Sequence, residues 1–356
     1  MDRGQDIIDR VLQGSRLQDA EAIELMAAGD LLQLGQAADV IRQKKHPGPY
    51  VTFVVDRNIN YTNVCESKCR FCAFFRTKDA ADAYVLGTDE LYRKIEEALA
   101  AGGTQIMLQG GLNPALKLDY FENLLQGIKE RFPLTIHSFS PAEIVHLAAH
   151  AGITVAETLC RLKNSGLDSL PGGGAEILDD AVRQRVSPLK ITAKQWLDVM
   201  ESAQHMGIGT TATMVIGMQE TYQQRINHFR AIRELQDRTG GFRAFIMWTF
   251  QPGNTELGGE KTSAWDYLRT LAVARLYLDN ISHLQGSWVT QGQSIGQLTL
   301  AFGADDLGSI MLEENVVRAA GTAYQMSIDK MTEMIRAAGR IPAQRDTQYA
   351  ILKTFI

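Results

Sequence analysis

After Pro47 and Gly48 the chain alternates between short β-branched or apolar runs and longer amphipathic segments, and this alternation limits the fold more than any other feature. Strand-like runs fall at residues 51–55, 104–108, 134–139, 168–170, 209–216, 242–250, 287–290 and 298–302. Between them lie helices with readable starts. Thr88 precedes the stripe Leu91, Ile95, Leu99, and Ser140 is followed by Pro141 and Glu143. Thr192 with Gln195 and Thr221 with Gln224 repeat the reciprocal capping pattern ahead of two more apolar stripes. Strands alternating with helices pair in parallel through right-handed crossovers, which leaves an open doubly wound sheet or a closed (β/α) barrel. About eight strands favour the α/β TIM-type barrel.

Three segments follow. Residues 1–48 read as an amino-terminal helical cap, with stripes at Ile7, Ile8, Val11, Leu12 and at Leu31, Leu34, Ala38, Ile41. Residues 49–310 form the barrel, and residues 311–356 a carboxy-terminal helical extension in which Met331, Met334 and Ile335 have helical spacing. Gln344, Arg345 and Asp346 near the end read as a lid or as a solvated face. The glycine-rich and polar segments 109–111, 172–174, 217, 251–254 and 303–306 each follow a strand candidate, so a barrel gathers them at one mouth.

Composition removes several function classes. The 356 residues are 45% hydrophobic and 22% charged, an ordinary globular balance. Lys and Arg number 36 against 41 Asp and Glu, a net charge of −5, so no basic excess marks a surface for nucleic acid. The amino end lacks an apolar signal region, and no apolar run approaches the roughly 20 residues of a membrane span. A cytoplasmic protein with neither nucleic acid nor a membrane as partner is expected.

Three of the four cysteines, Cys65, Cys69 and Cys72, fall within one loop after the first barrel strand. A structural zinc site wants four closed ligands, and no second pair or nearby histidine completes this set. Three thiolates on a four-iron cluster leave one iron open for a ligand. Cys160 stands alone and reads as a small buried residue.

C-x-x-x-C-x-x-C after the first strand of a (β/α) barrel resembles the radical S-adenosylmethionine superfamily. The resemblance implies a [4Fe-4S] cluster on Cys65, Cys69 and Cys72, with S-adenosylmethionine chelating the open iron. Relatives place an aromatic at Phe71, beside the adenine. Gln109, Gly110 and Gly111 stand where relatives have Gly-Gly-Glu near the methionine amino group, although Leu112 follows here. Glu176 and Arg183 resemble the acid and base that hold the cofactor's amino acid part; the alternative is a surface ion pair. Ser138 is placed to meet the ribose or to bond nearby backbone.

Longer stretches, among them Trp248-Thr-Phe-Gln-Pro252 and Gln219-Glu-Thr221, resemble the menaquinone (futalosine) branch and within it the cyclic dehypoxanthinyl futalosine synthases. That resemblance implies reductive cleavage of S-adenosylmethionine, abstraction of the C4′ hydrogen of dehypoxanthine futalosine by the 5′-deoxyadenosyl radical, and closure onto the aromatic ring. An external low-potential electron donor is then a partner. Trp248, Gln251, Asn254 and Thr290 are the expected substrate contacts, and His137 or Asp306 the expected proton acceptor; each is also readable as a packed, hydrogen-bonded residue. Aminofutalosine synthase is the alternative within the class, and a non-catalytic metal-binding scaffold the alternative outside it.

Overall fold

The computed structural model describes residues 3–356. The first barrel strand is broken at Val55 into β1 (Tyr50–Val54) and β2 (Asp56–Ile59), and is followed by β3 (Gln105–Leu108), β4 (Thr135–Ile136) and β5 (Ser169–Leu170). Then come β6 (Gly209–Ile216), β7 (Phe242–Thr249), β8 (His283–Gln285) and β9 (Asp306–Ser309). Parallel pairing runs β2–β3–β4 and β5–β6–β7–β8–β9–β1, and a parallel bridge between His137 and Ser169 joins the two arcs. The sheet therefore closes into an eight-stranded barrel.

The capping chemistry acts as the sequence implies. Ser140 Oγ accepts from Glu143 N with Pro141 in the first turn, and both Thr–Gln boxes form at Thr192 and Thr221. Three helices, Arg3–Leu12, Asp19–Ala28 and Leu31–Lys45, make the expected amino-terminal cap. They pack on the barrel's outer helices: Arg16 meets Asp237 at 2.7 Å and Asp279 at 2.8 Å, and Leu25, Leu34 and Ala38 are fully buried.

The last two strands differ from the expectation. Residues 287–290 form a buried loop after β8, and residues 298–302 are helical and 3-10. A short apolar run carries no period long enough to separate strand from helix. β9 instead starts at Asp306, in a segment whose Asp and Gly conceal it. This shift reverses residues 303–306: they lead into a strand rather than away from one, so Asp306 lies at the barrel floor, not at its mouth.

The segment after residue 310 carries helices Val316–Ala319 and Ile328–Ala337, then ends in a hairpin that the helical reading did not anticipate. Its strands are β10 (Ile341–Arg345), parallel to β1, and β11 (Ile351–Thr354). Arg345 is thus neither lid nor solvated face. It is buried, meeting the Asp306 carboxylate through Nε at 2.6 Å and Nη2 at 3.0 Å, while Thr52 Oγ1 donates to the same carboxylate at 2.6 Å. The guanidinium also lies 3.8 Å from the centre of the Tyr349 ring, which stacks on His283.

Removing one partner of a buried ion pair strands the other charge. Arg345→Met is expected to lower stability to urea by about 3–5 kcal/mol, and adding Asp306→Leu should restore most of that loss. A single variant within about 1 kcal/mol of the parent would show that the floor does not depend on this pair.

Candidate active site

The cysteine loop is pinned at many points. Cys65 N donates to Arg76 O at 3.0 Å, Glu66 N to Leu112 O at 3.0 Å, and Arg70 N to Val186 O at 2.9 Å. The loop lies directly on Gly110 and Gly111. A Cβ on Gly110 would come within 2.5 Å of the Tyr61 ring, and one on Gly111 would enter the Val64 carbonyl and press on Cys65 Cβ at 2.8 Å. The glycine pair is therefore required by close approach of the loop. Burial pushes the Cys69 thiol up to about 12 and raises the Cys72 thiol, the latter opposed by the backbone N–H groups of Phe75 and Phe74. A metal that binds thiolates reverses this protonation. Cys160 is exposed on the helix Val155–Asn164 and not buried as expected.

The donor set fits an iron–sulfur cluster. Among the described residues, the groups that gather ligand atoms within 4.8 Å of one another are His46–His283–Asp305 and Glu66–His146–His150, and neither contains a cysteine. Among the described residues, then, no closed four-ligand set of the zinc type forms on the thiols.

Beside the loop, Glu176 holds a left-handed backbone at φ 41° after three glycines. Its Oε2 is buried without a hydrogen-bond partner, while Lys190 Nζ donates to Oε1 at 2.9 Å. Lys190 also lies 5.6 Å from the Phe71 ring centre. Burial works to lower its pKa, and the Glu176 carboxylate together with Cys69 holds it above the usual lysine value. Arg183 meets Glu176 at 3.5 Å, but its donors go to the carbonyls of Gly174, Ala175 and Ile191. It braces the glycine loop, so the cation in hydrogen-bond contact with Glu176 is Lys190, which the sequence reading missed.

A cavity of about 330 Å³ runs inside the barrel from Phe71 and Cys72 at the mouth to Arg345 and Tyr349 at the floor. Gln109, His137, Trp248, Gln251 and Thr290 line it, as expected. The Trp248 indole N–H is buried and unpartnered. Gln251 is engaged, donating to Thr249 and Thr290 and accepting from Thr322 Oγ1 at 2.8 Å. His137 Nδ1 lies 2.7 Å from Ser169 Oγ, and burial with the nearby Arg243 and Arg345 guanidinium groups drives its pKa well below the usual value. It is neutral.

Three expected contacts lie elsewhere. Ser138 is fully buried and its Oγ accepts from Leu108 N at 2.9 Å, the backbone alternative. Asn254 is exposed and donates to Ala319 O at 2.9 Å, tying down a surface turn. Asp306 is held in the floor ion pair and does not line the cavity. The structure adds Arg243 and Glu314 to the cavity lining. Arg243 is the lone charge in the run 242–250, a signal that the sequence carried.

Glu143 lies behind Gly110. It accepts from Tyr61 Oη at 2.6 Å and Gly110 N at 3.2 Å, and burial raises its carboxyl from 4.5 to about 7. A raised acid stabilises the fold below its unfolded value and loses that contribution as pH rises through the folded one. Glu143→Gln is therefore expected to gain stability relative to the parent between pH 5 and pH 8 in urea titrations, and a pH-independent difference would contradict this assignment. Gly111→Ala should lower iron and sulfide bound after anoxic reconstitution well below about four per chain, since its Cβ displaces Cys65.

Comparison with known proteins gives the family. The profile of the Radical SAM superfamily matches residues 59–232, and that of the CofH/MqnC C-terminal region matches residues 239–355. Cyclic dehypoxanthine futalosine synthase of Halalkalibacterium halodurans is 48% identical over 98% of this chain and 95% of its own length. The protein of that name in Streptomyces coelicolor is 45% identical over 97% and 88%. Aminodeoxyfutalosine synthase of Thermus thermophilus is 37% identical over 96% and 94%. Among solved structures, methylornithine synthase (PylB) superposes with a TM-score of 0.76 at 20% identity, covering 95% of this chain and 97% of that one, a likeness of fold alone. With such relatives matched along nearly the whole chain, this protein belongs to the radical S-adenosylmethionine superfamily, with a [4Fe-4S] cluster and S-adenosylmethionine as cofactors, and within it to the family that includes the cyclic dehypoxanthine futalosine synthases.

Proposed function

We propose that this protein converts dehypoxanthine futalosine to its cyclic form in menaquinone biosynthesis. The observation that carries the reading is the 48% and 45% identity to two synthases of that name across almost the entire chain. The cavity supports it, because one continuous space joins the cysteine loop to polar and aromatic side chains deeper in the barrel.

The bound cluster and S-adenosylmethionine supply a 5′-deoxyadenosyl radical on reduction. The chain's own work is positioning and exclusion of water. Phe71 offers its ring at the cavity mouth for the adenine, and the Gln109–Gly111 segment and Glu176, backed by Lys190, offer acceptors for the cofactor's amino group. Trp248 Nε1 and Thr290 face the substrate with a donor and a hydroxyl. The overall change removes two hydrogens from the substrate as one carbon–carbon bond forms: one leaves as the C4′ hydrogen atom taken by the deoxyadenosyl radical, and the other as a ring proton together with one electron, for which the oxidised cluster would be the acceptor. His137, which lines the cavity, is the proton acceptor in this reading; Asp306 is already committed to Arg345. A low-potential external donor reduces the cluster, and the four free cysteines suit the reducing cytosol.

The test is an anoxic assay of the reconstituted protein with S-adenosylmethionine, a low-potential reductant and dehypoxanthine futalosine, read by mass spectrometry. A product two hydrogens lighter, formed with one 5′-deoxyadenosine each, is expected. Deoxyadenosine without that product would move the reading to a sister enzyme such as aminodeoxyfutalosine synthase; zinc without iron and sulfide would leave a metal-binding scaffold. His137→Asn is expected to slow cyclisation by about 10²-fold or more, and a parental rate would remove it as proton acceptor.

A further inference from the structure

The floor of the cavity holds a charge with no partner. Arg243, the second residue of β7, lines the cavity, and all three of its guanidinium nitrogens are sealed from solvent without a hydrogen bond. Other arginines around the barrel have carboxylates or carbonyls: Arg225 has Glu220 and Asp266, Arg275 has Asp305, and Arg345 has Asp306. Arg243 has no ion pair among the described residues. Its charged surroundings are Tyr349, Arg345, already paired, and Asp346, none of them in hydrogen-bond or ion-pair contact with it. Gly209 makes room for it, since a Cβ there would stand 3.2 Å from the guanidinium carbon. A buried cation without an anion is costly, and the usual resolution is a partner that arrives from outside.

We propose that Arg243 is the anchor for the substrate's aromatic carboxylate, gripping it in a bidentate pair and holding the ligand with its acid end at the floor and its sugar toward the cysteine loop. The identity of the ligand rests on the function proposed above. The walls between the two ends suit the assignment: Met107, Ile246 and Leu307 line the middle of the cavity and form an apolar slot for an aryl ring. From Arg243 to Trp248 is five residues of strand, about 16 Å, which separates the anchoring end from the reacting end. Arginine matches a carboxylate with two parallel N–H donors, and lysine cannot reproduce that geometry.

The experiment compares dehypoxanthine futalosine with its methyl ester, by calorimetry under anoxic conditions, on reconstituted protein holding S-adenosylmethionine. The parent should bind the acid about 100-fold more tightly than the ester, a charge-assisted discrimination that Arg243→Met abolishes by weakening the acid alone. Arg243→Lys should fall between. The Met variant should also melt at a higher temperature than the parent in the absence of ligand, because the lone buried charge is gone. Equal affinity of the parent for acid and ester, or an acid affinity within about 3-fold of the parent in Arg243→Met, would overturn the proposal. If the parent does not bind dehypoxanthine futalosine, the function reading fails separately, and 3-acetylbenzoate becomes the probe. Retained binding of that probe, lost in Arg243→Met, would keep the carboxylate site, and no difference between parent and variant would remove it. Should the Met variant not fold, Arg243→Lys carries the same comparison.

Discussion

A barrel wide enough to enclose a substrate needs one end shut, and the pairing of Arg345 with Asp306 shuts this one. The contact joins the first residue of β9 to the last residue of β10, with Thr52 of β1 as a third participant. Around it, the Tyr349–His283 stack and the Arg275–Asp305 pair extend a polar layer across the floor. A charged floor is an expensive way to close a core, since each ion must be desolvated. What it achieves is a rigid, water-excluding base on which β-strands of one sheet can present their opposite ends to chemistry.

At the mouth the governing constraint is steric. The cysteine loop can lie on β3's exit only because Gly110 and Gly111 have no side chains, and the buried Glu143 holds that exit from behind through Gly110 N and Tyr61. Glu176 is presented by a glycine loop that Arg183 braces through its carbonyls. Rigid support beneath short reactive segments is the arrangement that positioning a radical requires, because a misplaced carbon quenches.

Much of this was legible in the sequence because its signals were local. Cys65, Cys69 and Cys72, the capping boxes and the first six strands are each set by spacing or by neighbours within a few residues. The reading failed where long-range placement decides. Residues 298–302 were apolar enough for a strand and became helix, which turned Asp306 end for end and moved it from mouth to floor. Arg345 looked like a solvated charge because nothing local shows that its partner lies 39 residues upstream. Ser138 and Asn254 were of the right type at the right strand ends, but their side chains turn to backbone carbonyls and amides. Arg243 is the lone charge in the run 242–250, whereas Lys190 stands among Arg183, Arg185 and Lys194, so nothing local singles it out as the partner of Glu176.

The central claim is that the cavity brings the sugar of the substrate to the cluster end of the barrel. Turnover of dehypoxanthine futalosine carrying deuterium at ribose C4′, followed by mass analysis of both products, tests it most directly. The account predicts one deuterium in 5′-deoxyadenosine and none in the cyclised product. Unlabelled deoxyadenosine formed alongside a product that keeps its deuterium would contradict it.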